Sequence, residues 1–127
     1  MEAVDFRTLP VRLRDADAAC RAARLFPRHI VTDTNGSVCA VETTGRRVLV
    51  GHPGAYFVVP FETIDEVASR DHGDWIELSV RVCLPASVWI SLPWRSGKRA
   101  RVAHYTLCGA LLEARAPTPL PSPQPPR

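Results

Sequence analysis

Apolar and polar residues alternate most cleanly between Trp75 and Leu84. Ile76, Leu78, Val80, Val82 and Leu84 fall on one side, and Trp75, Glu77, Ser79, Arg81 and Cys83 on the other. A period of two held this long predicts a strand with one buried face, which belongs to an antiparallel sheet laid over a core. Pro85 ends it. Shorter runs come before. Ile30–Thr34 and Ser37–Glu42 flank Asn35-Gly36, a hairpin dipeptide whose two positions are expected to take positive φ. Thr43-Thr44-Gly45 turns the chain into a third strand, Arg46–Val50, and Gly51-His52-Pro53-Gly54 turns it again into Ala55–Val59. Pro60 breaks the ladder; Phe61, Ile64 and Val67 then recur at a spacing that fits one helical turn better than an edge strand. Asp71–Asp74, with Gly73, is another turn. Val88–Leu92 and Arg99–Leu107 read as two further strands, and Val11 with Leu13 as a short one near the start.

Helical signals are confined to two places. Asp15 or Asp17 is placed to cap a helix over residues 16–26 that stops before Pro27, with Ala19, Cys20, Ala23 and Phe26 on its apolar side. Gly109–Arg115 has room for one or two helical turns. Beyond Arg115 lie six of the twelve prolines, in the last eleven residues, with a single P-x-x-P from Pro123 to Pro126. Such a segment joins neither sheet nor helix. The expected organisation is therefore one β-rich domain over residues 1–115 and a disordered proline-rich tail over 116–127.

Short strands separated by turn residues predict a mainly β fold, a small antiparallel barrel or sandwich with one N-terminal helix and a short C-terminal helix. Roughly seven strands followed by a closing helix resembles the element order of the pleckstrin-homology-type barrel. The resemblance is one of order, carried by no diagnostic motif.

Composition narrows the class. With 127 residues, 46% hydrophobic and 23% charged, the chain is sized for one globular domain. No apolar stretch approaches the ~18 residues of a membrane span. The opening residues MEAVDFRTLPVRLRD lack an apolar h-region, which predicts no secretory signal and an intracellular protein, cytoplasmic or nuclear. Cys20, Cys39, Cys83 and Cys108 are spaced by 19, 44 and 25 residues, and the four histidines are as scattered, so neither a metal nor another cofactor is expected. The cysteines read as reduced, buried thiols.

The net charge of +3 is mild, but it is segregated. Glu62, Asp65, Glu66, Asp71, Asp74 and Glu77 share their stretch with Arg70 alone, whereas Arg81, Arg95, Lys98, Arg99 and Arg101 follow with no acid before Leu112. Nothing places a carboxylate in an apolar pocket, no G-x-S-x-G is present, and Gly51–Gly54 has neither the lysine nor the helix of a phosphate loop. The reading is therefore not an enzyme. One stretch points elsewhere: Leu84-Pro85, the strand Val88–Leu92, then Pro93-Trp94-Arg95-Ser96-Gly97 resembles the strand and phosphate-gripping loop of dUTP pyrophosphatases. Trp94 interrupts that loop's order and the family's nucleoside pocket and glycine-rich end have no counterpart, so the resemblance implies at most an inactive relative.

Two surfaces remain as candidates. In the basic loop Trp94–Arg101, Arg95, Lys98, Arg99 and Arg101 have forks and charges for phosphate while Trp94 offers a stacking face, which suits RNA, DNA or an anionic lipid. The opposing reading pairs these bases with the acids of 62–77. Trp75, Trp89 and Arg81 sit on the outward face of their strands, a candidate protein contact, although the N-terminal helix, whose Ala/Cys/Phe side needs a surface to bury, is expected to cover Trp75 and Trp89. The expectation is a non-catalytic binding module with a protein partner, an interaction or regulatory subunit, with phosphate recognition as the alternative. Partner identity, oligomeric state and barrel closure have no signature in the sequence.

Overall fold

Val38–Glu42 is buried at every position, which a strand with one face toward water cannot be. The reason is the layering. The computed structural model describes residues 1–5, 15–83 and 86–115; the strand expected at Val11–Leu13, the pair Leu84-Pro85 and the tail from Ala116 lie outside them. One antiparallel sheet contains β1 (Glu2–Ala3), β2 (His29–Thr32), β3 (Val38–Glu42), β4 (Arg47–His52) and β5 (Ala55–Pro60) in the order β1-β5-β4-β3-β2. A second contains β6 (Ile64–Asp71), β7 (Ile76–Val82) and β8 (Val88–Trp94) in sequence order. Helix α1 spans Ala16–Ala22 and helix α2 spans Gly97–Arg115.

The inner residues of the first sheet, Cys39, Val41, Val48, Val50 and Val59, share one core with Leu78, Val80, Val82, Ile90, Leu92 and Trp94 of the second. The first sheet is also covered outside. Val38, Ala40, Leu49 and Tyr56 pack under Ala19, Cys20 and Leu25. Helix α1 thus lies on the first sheet, which corrects the expectation that it covers Trp75 and Trp89. The near-continuous apolar run of β3 is what burial on both faces demands.

Helix α1 is shorter than residues 16–26. Asp15 caps it, accepting from the Ala18 N–H at 2.8 Å. It ends where Arg24 turns left-handed at φ 53°, with Arg24 N–H on the Arg21 carbonyl and Leu25 N–H on the Cys20 carbonyl. That bond pair is the Schellman ending, with arginine where glycine is usual. Phe26, expected on the apolar side, lies past this ending and is largely exposed.

Turn chemistry sets the first sheet. At Asn35-Gly36 only Gly36 has positive φ, 88°, correcting the expectation for both. Gly36 N–H bonds to the Asp33 carbonyl and Asp33 N–H to Ser37, a turn closed by one left-handed residue. A Cβ there would lie 2.4 Å from Pro53 Cγ, so glycine is required on two counts. The segment after Pro60 is split. Phe61–Thr63 forms a short 3-10 turn and Ile64 already belongs to β6, so the helical turn expected through Val67 gives way to an edge strand.

The largest correction is at the C-terminal side. Arg99–Leu107 is not a strand, and the helix is not short: both stretches belong to the 19-residue α2. Ala100, Ala103, Leu107, Ala110 and Leu111 recur at helical spacing and close the core between the two sheets. The period is carried mostly by alanines, while Val102, Tyr105 and Thr106 mimic a strand.

Candidate functional site

The outer face of the second sheet has no covering element among those described. Antiparallel register lines its side chains into rows: Glu66, Arg81 and Trp89; then Ala68, Ser79 and Ser91; then Arg70, Glu77 and Pro93. The middle row is small, and Trp89 on one side with Arg70 and Glu77 on the other wall a groove of about 290 Å³. Trp89 is 47% exposed along it. The Arg81 guanidinium lies 5.6 Å from the Trp89 ring centroid and also pairs with Asp65 and, at 3.6 Å, with Glu66. Arg81 Nε is buried without a hydrogen-bond partner.

At the other wall Glu77 accepts from His72 at 2.9 Å, Ser79 at 3.0 Å and Ser91 at 3.3 Å. The His72 bond, reinforced by the two serines, holds the Glu77 carboxyl below its ordinary value. His72 in turn stacks on Trp75, ring centroids 4.1 Å apart. Bonds from Cys83 and then Arg81 likewise hold Asp65 down. The face therefore offers an aromatic plane, a hydroxyl floor and charges of both signs.

The basic segment is arranged differently from its sequence reading. Trp94 is fully buried in the core and its indole N–H has no partner, so it presents no stacking face. Lys98, Arg99 and Arg101 are on the first turns of α2 rather than on a loop. Arg99 donates to the Thr32 carbonyl at 2.8 Å. The Asp33 carboxylate accepts from the N–H groups of Arg95 and Ser96, and Ser96 Oγ accepts the Arg99 N–H at 3.2 Å. Burial raises the Asp33 pKa, but the N–H donors of Arg95, Thr34 and Ser96 outweigh it, and the group stays below its ordinary value. The positive end of α2 is thereby already met by a carboxylate and a cap. No ion pair among the described residues joins Arg95, Lys98, Arg99 or Arg101 to the 62–77 acids, whose own partners are Arg81 and His72.

Trp75 stands apart from Trp89, and with Asn35, Asp74, Pro93 and Arg95 it lines a separate hollow. One contact escaped the sequence reading: Ser69 on β6 hydrogen-bonds His104 Nδ1 on α2, 35 positions away. No local motif marks such a pair. The contact joins the edge strand to the helix. The Pro93–Gly97 stretch passes straight from β8 into α2 and does not form a loop between strands. Among the described residues no cluster of three or more His, Cys, Asp or Glu is set to hold a metal, and no helix is long and apolar enough to cross a membrane. Comparisons with family models, curated proteins and solved structures returned no match.

Proposed function

We propose that this protein is a non-catalytic interaction module of the PH-like sandwich type, which takes a protein partner on the outer face of its second sheet. The observation that carries the reading is the asymmetry of covering. Helix α1 shields one sheet, while the other leaves Trp89 exposed, with the Arg81 guanidinium beside its ring, at the edge of a small-residue floor. The architecture itself is supported by the order of elements, in which four consecutive strands and then three precede a closing helix. Four unpaired cysteines fit a reducing, intracellular compartment, with burial pushing the Cys39 thiol up to about 12.

The second reading, phosphate recognition by RNA, DNA or an anionic lipid, rests on Arg95, Lys98 and Arg101, which are exposed. It is weaker, since Trp94 is buried and Arg99 is engaged. Affinity capture from cell extract separates the two. An Arg81→Ala/Trp89→Ala double variant is expected to lose the captured protein, and an Arg95/Lys98/Arg99/Arg101→Ala variant to keep it at high salt. Capture that survives the first variant, vanishes with the second and falls steeply with salt would reverse the assignment. Fluorescence anisotropy with labelled single-stranded RNA and duplex DNA then identifies the phosphate ligand.

A further inference from the structure

The solvent side of α2 carries a seam of its own. Val102, Tyr105 and Leu112 are 47%, 71% and 72% exposed, and Gly109 between them is exposed as well. The spacing of these four positions, three, four and three, is that of a and d positions in a heptad. The opposite side of α2 already fills the core, so the helix is apolar on both sides, as a helix packed on both sides is. Gly109 sharpens this. A Cβ there would meet nothing within 4 Å, so no packing within the chain requires glycine. Mid-helix glycine costs about 1 kcal/mol against alanine.

We infer that α2 pairs with α2 of a second copy, antiparallel, about a two-fold axis on the solvent side at the height of Leu107. That operation sets each Tyr105 ring opposite Gly109 of the second copy, and each Val102 opposite Leu112 of the second copy. The large side chain faces the notch, twice. A parallel pair sets ring on ring and notch on notch, which wastes both. On one flank Arg99, already donating to the Thr32 carbonyl, comes level with Glu113 of the second copy; on the other Arg101 faces Arg115 of the second copy, whose guanidinium is drawn back to the Ile64 carbonyl. The flanks offset each other, so apolar contact sets the affinity and added salt changes it little. This surface is separate from the outer face of the second sheet. A single helix pair falls short of the ~1,200 Å² at which stable interfaces begin, so the dimer belongs to the weak, transient class.

Sedimentation velocity of the full chain under reducing conditions, from micromolar to near-millimolar concentration, tests it. A concentration-dependent dimer is expected. Tyr105→Glu and Gly109→Leu should each weaken it by about ten-fold or more, or 1.4 kcal/mol. Circular dichroism should show the helix intact, since both positions are exposed and leucine favours helix. The double variant Tyr105→Gly/Gly109→Tyr exchanges ring and notch and should restore the dimer. A monomer throughout the range overturns the inference, as does a dimer indifferent to the single variants or a double variant that fails to recover.

Discussion

Arg24 holds the αL position that ends α1, and it does so against its own preference, because a Cβ in that region crowds the following carbonyl. Its backbone carbonyl also accepts from Arg47 Nη2 at 2.7 Å, a bond any residue would keep. Arg24→Gly should therefore raise unfolding stability by about 0.5–1 kcal/mol, read as a higher urea midpoint at unchanged slope. An unchanged midpoint would show that the arginine relieves the strain by some other route. Trp94 is the instructive case of reading at this scale. Val88, Ile90, Leu92 and Trp94 share one parity, and only Ile90, Leu92 and Trp94 reach the core. Ending the strand at Leu92 made Trp94 a loop residue among bases; two more residues of alternation put it inside. Trp89 and Arg81, on the opposite parity, were legible from the pattern alone.

At the level of elements, β7 was legible because a long strand with one wet face writes its geometry into every second residue. Helix α2 was not, because alanines mark its buried side too faintly against a neighbouring Val-Ala-His-Tyr-Thr-Leu order that alternates like a strand. The two sides of this helix can be told apart by substitution. Leu107→Ala should cost about 2–4 kcal/mol, since the side chain is fully buried where both sheets meet the helix. Val102→Ala, on the solvent side, should leave the stability of the dilute monomer within about 0.5 kcal/mol. Thermal and urea unfolding at low protein concentration give both values, and equal costs at the two positions would contradict the orientation of α2. The groove on the second sheet was half legible: its walls are aromatic and charged, but a floor of Ala68, Ser79 and Ser91 exists only once register aligns three strands.

Across the whole molecule, two carboxylates fasten elements that are distant in sequence. Asp33 joins the β2–β3 turn to the start of α2. Glu42 accepts from Arg47 Nε at 2.7 Å and from the Phe26 N–H, tying the exit of α1 to the β3–β4 hairpin. The Arg47 bond holds Glu42 below its ordinary value, as the N–H donors hold Asp33 against burial. A carboxyl depressed in the folded state gives stability that is complete above its unfolded pKa, about 4, and is lost as pH falls through the folded value. Urea unfolding followed from neutral pH to about pH 2 should therefore show stability falling only below about pH 4. An Asp33→Asn/Glu42→Gln variant should be weaker at neutral pH, by about 1.5–3 kcal/mol for each charged bond set removed, with a flatter acid limb. An acid limb as steep as that of the natural sequence would assign the pH dependence to other groups.

The unequal covering of the two sheets has a further consequence in time rather than in space. Amides of β3 and β4, roofed by α1 and floored by the core, belong to the part of the molecule that opens last, while β6, an edge strand with water along it, belongs to the part that opens first. The partner proposed for the second sheet would lean on the more yielding half. Its arrival is expected to slow deuterium uptake there most and to leave the already rigid half almost unchanged.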